Sequence, residues 1–166
     1  YGIVHLATHG EFKAGSLDNS YIQYWDQRLS IDQVRLMGLN NPPVELMVLS
    51  ACRTALGNVE AELGFAGFAV QAGVKTAVAS LWKVDDVGTA GLMTQFYTSL
   101  QTEPIKAKAL RQAQLAMING EIRVEDGQLV WSGGTLPLPD ELAQIDSSLF
   151  SHPYFWASFT SIGSPW

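Results

Sequence analysis

Three short apolar runs, separated by segments with helical spacing, constrain the fold of this chain more than any other feature. The runs are Ile3–Thr8 (IVHLAT), Val44–Ser50 (VELMVLS) and Thr76–Trp82 (TAVASLW). Their apolar and β-branched residues are nearly continuous rather than alternating, which is typical of strands buried on both faces of a parallel sheet. Because strands and helices alternate, the sequence predicts an α/β domain with a mostly parallel central sheet covered on both faces.

The other segments are assigned from caps, turn residues and apolar spacing. We predict a small hairpin within Glu11–Leu29, helices that begin after Ser30, near Glu60, at Asp85–Asp86 and at Pro104, a hairpin over Ile122–Trp131, a surface loop over Ser132–Asp146 and a last strand over Tyr154–Gly163. The predicted buried faces of the two longest helices comprise Leu92, Met93, Phe96, Tyr97 and Leu100, and then Ala107, Leu110, Ala113, Leu115 and Met117.

Length and composition limit the class of protein. The 166 residues fit a single domain, 1–166, and the net charge of −6 argues against a general nucleic-acid surface. No apolar run reaches the roughly 18 residues of a membrane helix, and no signal peptide opens the chain. One cysteine makes no internal disulfide, so a reducing, cytoplasmic setting is expected. The start at Tyr1, without Met, predicts a piece of a longer protein.

Polar or reactive residues follow each of the three apolar runs. His9 and Gly10 follow the first, Cys52 follows the second, and Asp85 and Asp86 follow the third. The carboxyl ends of parallel strands meet at one edge of a sheet, where α/β proteins bind their ligands. The sequence therefore predicts that these residues form one site.

Cys52 and His9 have the chemistry of a nucleophile and its base. A thiol near its ordinary pKa of about 8.5 is mostly unreactive at neutral pH, and a neighbouring imidazole changes that. Cys52 would attack a carbonyl carbon, while His9 would protonate the leaving amine and then activate water. Backbone N–H groups of Gly10 and Cys52 could hold the oxyanion, since Gly10 lets the main chain approach closely. A lone cysteine after a strand is also commonly a packed small hydrophobe, and this alternative stays open here.

Four blocks of the sequence resemble the CHAT domain, a caspase-like family related to the separases. The blocks are HLATHG at 5–10, LSACRTALG at 49–57, AGVKTAVASLWKVDD at 72–86 and HPYFWASFTSIG at 152–163. The resemblance implies the C-terminal part of a caspase-like three-layer sandwich, with His9 and Cys52 as the catalytic dyad. It also implies strands that precede the His9 strand and lie outside this chain. Tetratricopeptide or other interaction modules would choose the substrate and restrain the protease.

Three residues at the end of the third run or just after it, Trp82, Asp85 and Asp86, are candidates for a substrate pocket. Asp85 and Asp86 have a plain interpretation as first-turn helix residues, which favour the helix dipole by about 0.3–1 kcal/mol each. In the alternative interpretation one of them lines a pocket for the residue before the scissile bond and selects Arg or Lys, as in separase and metacaspase relatives. Trp82 would be either core or a wall of that pocket.

The other polar residues near the site have simpler explanations. His5 lies four residues before His9, so zinc could be proposed, but with Cys52 and His152 there is no compact ligand set, and no metal is predicted. His5 is instead expected to be a hydrogen-bonded core residue that supports the site. Ser50 is expected to bond within the turn, and Arg53 to be a surface residue or a partner for a thiolate.

The main hypothesis is a cysteine endopeptidase that acts on protein substrates in a bacterial cell, without a cofactor and without nucleic-acid or membrane contact. Its expected partners are a peptide or protein substrate and a regulatory N-terminal region or partner protein. The rival hypothesis is a non-catalytic scaffold or interaction module with the same fold. A flavodoxin-like binder of small ligands fits less well, because no Gly-rich phosphate loop follows the first strand.

Overall fold

The structure is a computed structural model that describes residues 2–8, 10–12, 20–50, 53–54, 64–83 and 85–166. The chain forms two compact units. The first comprises Tyr1–Lys83 and Phe159–Pro165, and the second comprises Val84–Ser158 with Trp166. The assignment of residues 1–166 to one domain stays a prediction.

The secondary structure alternates between short strands and helices in the first unit and is more helical in the second. The described strands are β1 (Ile3–Leu6), β2 (Gly10–Phe12), β3 (Tyr21–Gln23), β4 (Arg28–Ser30), β5 (Leu46–Leu49), β6 (Arg53–Thr54), β7 (Thr76–Ser80), β8 (Arg123–Glu125), β9 (Gln128–Trp131), β10 (Gly134–Pro137) and β11 (Phe159–Gly163). The described helices are α1 (Ile31–Leu36), α2 (Gly64–Gln71), α3 (Asp86–Leu100), α4 (Lys106–Ile118) and α5 (Pro153–Trp156), with a 3-10 turn at Ser147–Ser151.

The central sheet of the first unit has the strand order β1-β5-β7-β11. Strands β1, β5 and β7 run parallel, and β11 runs antiparallel to β7. Every residue of β5 and β7 is buried, as expected for apolar strands covered on both faces. The α/β class and the mostly parallel sheet are therefore confirmed, while the caspase-like three-layer sandwich stays a prediction.

A second sheet of the first unit has the order β4-β3-β2-β6. Strands β2, β3 and β4 pair antiparallel, so the predicted hairpin is found as β3 and β4. Strand β6 pairs parallel to β2 and was not predicted, because two residues carry no recognisable period.

Helix α2 packs on strands β5, β7 and β11 of the central sheet, and α1 contacts α2 and β4. Ser30 caps α1 as predicted, in a capping box in which its hydroxyl accepts from the Gln33 N–H and the Gln33 side chain accepts from the Ser30 N–H. The predicted start of α2 near Glu60 lies outside the described residues. The buried apolar cluster of this unit comprises Ile22, Val34, Val44, Met47, Leu49, Ala66, Ala69, Val74, Ala77 and Ala79.

The second unit is built on two helices that contact each other, α3 and α4, and a small sheet. The N-cap of α3 is Asp85, as predicted, whereas Pro104 lies before α4, whose N-cap is Ile105. The predicted faces are partly wrong. Tyr97, Leu100 and Ala107 are only half-buried, Leu115 is 38% exposed, and small or polar residues such as Gly91 and Gln95 are buried instead.

The sheet of the second unit has the order β10-β9-β8. The predicted hairpin turns at Asp126 and Gly127, whose φ angles of 49° and 72° match the turn that joins two-residue hairpins. The predicted loop at 132–146 is wrong at β10, which pairs with β9. All four β10 residues are exposed, so the strand has no apolar alternation by which to recognise it.

The last predicted strand is wrong in its first half. Pro153 begins α5 at a position that favours a helix start, and His152 caps it, so the Tyr154–Trp156 segment is helical. Only Phe159–Gly163 extends as β11. Among all the helices that the structure describes, none is long and apolar enough to cross a membrane.

Candidate active site

Two neighbouring strands of the central sheet end side by side. In the parallel pair of β1 and β5, Ile3 lies opposite Leu46 and Leu6 opposite Leu49. The backbone N–H of Ser50 continues the contact by donating to the carbonyl of Leu6 at 3.3 Å. The predicted catalytic positions His9 and Cys52 come shortly after these strand ends, and both lie outside the described residues.

The same two chain segments pair a second time beyond those positions. Strand β2 runs parallel to β6, with Glu11 opposite Arg53 and Phe12 opposite Thr54. The chain is therefore paired before and after each predicted catalytic position, first in the central sheet and then in the small sheet. The sequence did not reveal this second pairing, since strands of two and three residues carry almost no periodic signal.

Residues next to position 9 are also held by β3. The Thr8 hydroxyl donates a hydrogen bond to the carbonyl of Gln23. Gly10, predicted to be an oxyanion donor, is buried and lies opposite Ile22 in the β2–β3 pair. The described neighbours of position 9 on both sides are thus fixed to one strand.

A polar contact bridges the ends of β1 and β5. The Nε2 atom of His5 lies 2.9 Å from the Ser50 hydroxyl. Partial burial lowers the pKa of His5, because desolvation disfavours the charged imidazole. The prediction of a hydrogen-bonded His5 is correct, but His5 is an exposed residue rather than a core one. Ser50 was expected to bond within its turn, but its described hydrogen bonds go to His5 and Leu6 of β1.

The predicted pocket residues have separate roles in the part of the chain that the structure describes. The half-buried Asp85 caps α3, since its Oδ1 accepts from the Gly88 N–H at 2.8 Å. Asp86 is exposed in the first turn of that helix. Trp82 is half-buried and belongs to the first unit. The capping role accounts for Asp85 without a substrate, and a pocket formed by these three residues stays a prediction.

The described residues contain no group of three or more His, Cys, Asp or Glu side chains that could hold a metal ion. His152 has a structural role: its Nδ1 accepts from the Tyr154 N–H at 3.2 Å and caps α5. His152 therefore begins a helix and does not lead directly into the last strand, which starts only at Phe159.

One feature of the first unit was not predicted. An apolar cavity of about 100 Å³ lies between β1, β5 and α1, and its walls include Leu6 and Leu49, the last residues of β1 and β5. Its other walls come from β3, β4 and the segment after α1. The sequence gives no signal of this cavity, because its lining residues are of the types expected in any hydrophobic core.

The family model described as CHAT domain matches residues 1–164 of the chain. The search of curated proteins returned no match.

Proposed function

We propose, since this chain belongs to the CHAT domain family and that family is caspase-like, that it is a cysteine endopeptidase with Cys52 as nucleophile and His9 as acid and base. Gly10 and Cys52 would supply the oxyanion donors. The setting that fits is a reducing, cytoplasmic one, and a regulatory region or partner protein would restrain the activity.

The double pairing of the two chain segments carries this proposal. Leu6 pairs with Leu49 before the two positions, and Glu11 pairs with Arg53 after them. A nucleophile and a base that are 43 residues apart in sequence need such pairing, because they must come within hydrogen-bond reach of each other. The two short connections between these pairings contain the only cysteine of the chain, Cys52, and one of its three histidines, His9.

In the first half of the reaction, the Cys52 thiol gives its proton to His9 and the sulfur attacks the carbonyl carbon of the scissile bond. The carbonyl oxygen becomes an oxyanion, which backbone N–H groups stabilise. His9 then gives the proton to the leaving nitrogen, the C–N bond breaks and an amine departs. The acyl group stays on the sulfur as a thioester.

In the second half, His9 takes a proton from water while the water oxygen attacks the thioester carbonyl. The C–S bond breaks, the sulfur takes back the proton from His9, and a carboxylic acid leaves.

The hydrogen bond between His5 and Ser50 joins the two strands that precede the proposed catalytic residues in sequence. Ser50 stands two residues before Cys52, and His5 stands four before His9. Partial burial lowers the pKa of His5 and so favours its neutral form at neutral pH. We assign His5 a positioning role.

The thiol itself provides the direct test. Alkylation of Cys52 by iodoacetamide, followed by mass spectrometry of the Cys52 peptide in the full-length protein, measures the thiolate fraction against pH. An activated cysteine should show an inflection well below the ordinary value of about 8.5, and His9→Ala should move it back. A second arm digests a proteome-derived peptide library with wild type and Cys52→Ala. Ordinary alkylation, together with equal cleavage by both proteins, would favour the non-catalytic scaffold.

A further inference from the structure

The apolar cavity of the first unit is lined in part by the C-terminal ends of β1 and β5. Leu6 and Leu49 form part of its wall, and Gly10 and Arg53 resume the chain shortly beyond them. Val34 of α1 and Leu29 of β4 form part of the opposite wall. The cavity therefore adjoins the ends of the two strands that lead, in sequence, to the proposed catalytic residues.

The chemistry of the walls defines what the cavity accepts. All ten lining side chains are aliphatic or thioether groups except Tyr24, and none carries a charge at neutral pH. A charged or strongly hydrated group would lose its water here without gaining a partner. An aliphatic group would instead gain close contacts and leave water.

The size of the cavity limits which apolar side chains it can hold. A cavity of roughly 150 Å³ lined by aliphatic and aromatic groups stays dry and takes a benzene molecule. At about 100 Å³, this cavity is smaller and suits a branched or flexible aliphatic side chain better than an aromatic ring.

The cavity is not sealed from solvent. Met37, which follows α1, lines it and is 47% exposed. Leu6, Tyr24 and Leu29 are half-buried, so they also keep part of their surface at the outside. A side chain of a bound peptide can therefore reach the cavity without unfolding the unit.

We propose that this cavity is a specificity pocket that binds an aliphatic side chain, such as Leu, Ile, Val or Met, of the substrate residue next to the scissile bond. The inference rests on the proposed endopeptidase function and names its substrate class. It differs from selection of Arg or Lys by Asp85 and Asp86, because the Asp85 carboxylate already caps α3.

Two neighbouring exposed residues provide a matched test. Met37→Glu places a carboxylate at the cavity, whereas Leu36→Glu places the same carboxylate one residue away, on a side chain that is 85% exposed and does not line it. Both changes fall at the C-terminal end of α1, so their effects on that helix are similar. Neither residue belongs to the proposed catalytic machinery.

In the peptide-library digestion, the wild-type full-length protein should cut beside aliphatic residues. Met37→Glu should lower kcat/KM for those peptides by about 10-fold or more, within the range by which apolar pockets discriminate, while Leu36→Glu should change it less than about 2-fold. Cleavage that depends on Cys52 but shows no aliphatic preference, or an equal effect of both variants, would overturn the pocket and leave the endopeptidase proposal standing.

A binding measurement tests whether the pocket binds aliphatic side chains, independently of catalysis. Titration calorimetry with the full-length Cys52→Ala protein would compare capped peptides that differ only in carrying Leu, Met, Lys or Asp at the residue next to the scissile bond. We expect the Leu and Met peptides to bind about 10-fold tighter than the Lys and Asp peptides, and Met37→Glu to remove this difference. Equal binding of all four peptides would contradict the pocket, even if the library shows no cleavage at all.

Discussion

The two units of the chain are assembled from contacts of different range. In the first unit, β1 pairs with β5 more than 40 residues away, and the Thr76 hydroxyl donates to the carbonyl of Ser164 at 2.6 Å. In the second unit, α3 and α4 follow one another as helices of 15 and 13 residues, and β8, β9 and β10 pair in chain order. The first unit thus brings distant residues together, whereas the second is built mainly from neighbours in sequence.

The proposed catalytic residues belong to the first unit, whose contacts join distant parts of the chain. A catalytic pair drawn from two distant strands can arise only in a unit of the first kind, and the apolar cavity lies there too. In the second unit, Gly91 packs closely against Ile122, and the buried Gln95 accepts a hydrogen bond from Ser132. We therefore expect changes in the first unit to affect activity most and changes in the second to affect stability most.

The largest effect is expected at the proposed dyad. Cys52→Ala or His9→Ala should lower kcat/KM by at least about 1,000-fold, because nucleophile and base act as one unit. The melting temperature should change little. The measurement is cleavage of a peptide identified in the library, with circular dichroism of each variant as the control. A variant that loses activity only because it melts early would not support the dyad.

The next effect contrasts two helical glycines, one in each unit. A Cβ at Gly91 of α3 would lie 2.6 Å from Cγ2 of the fully buried Ile122, so Gly91→Ala should cost about 1–3 kcal/mol of stability through overpacking. A Cβ at Gly67 of α2 meets nothing within 4 Å, so Gly67→Ala should instead stabilise by about 0.5–1 kcal/mol through helix propensity.

Urea denaturation of the full-length protein measures both changes in the free energy of unfolding. Opposite signs would sharpen the contrast between the two units. If Gly91→Ala were as stable as wild type, the close packing of α3 against Ile122 would be wrong.

A smaller effect concerns the buried Gln95. Its Oε1 accepts from the Ser132 N–H at 3.2 Å and from the Ser132 hydroxyl at 2.8 Å, which ties α3 to the end of β9. Gln95→Met keeps the approximate volume but loses both bonds, so stability should fall by about 1–2 kcal/mol. Gln112→Met on the exposed side of α4 is the matched control. The same loss in both variants would mean that the Ser132 contacts add nothing.

The smallest effect is a pH dependence in the first unit. His5 has a pKa lowered from 6.5 by burial, so the folded protein binds this proton less readily than the unfolded chain. The stability that His5 contributes is therefore full above about pH 6.5 and is lost as the pH falls through the lowered pKa. His5→Gln can still bond Ser50 but does not titrate.

Urea denaturation of wild type and His5→Gln between about pH 5 and pH 7 measures this difference. We expect a shallower loss of stability toward acid in His5→Gln. Identical slopes would show that the His5 imidazole titrates at its ordinary value in the folded protein. Ser50→Ala, measured in the same series, removes the hydrogen bond to His5 but keeps the imidazole, so it distinguishes the effect of the bond from the effect of His5 titration.

Part of this architecture could be predicted from the sequence for clear physical reasons. Strands β5 and β7 were predicted because buried parallel strands are continuously apolar, and the start of α3 because Asp85 is a strong cap. Strand β10 was not, since its four exposed residues have no alternation. The apolar run over Tyr154–Gly163 predicts a strand along its whole length, although Pro153 favours a helix start at its N-terminal end.

The candidate site also has features that could be predicted from the sequence and features that could not. A cysteine and a histidine after strand-type runs are visible in the sequence, as is the capping role of Asp85. The pairing of β2 with β6 is not, because it depends on tertiary contact between segments of two and three residues. The cavity is also invisible, because it is a space between side chains from several elements rather than a property of any one of them.

The pairings on either side of positions 9 and 52 also restrict the length of the chain there. Residues 7–10 separate Leu6 from Glu11, and residues 50–52 separate Leu49 from Arg53. Because side chains alternate faces along a strand, one added residue would shift β2 against β6 and turn every following side chain to the opposite face. Insertions and deletions should therefore be tolerated in exposed turns such as 139–146 long before they are tolerated in these two short connections.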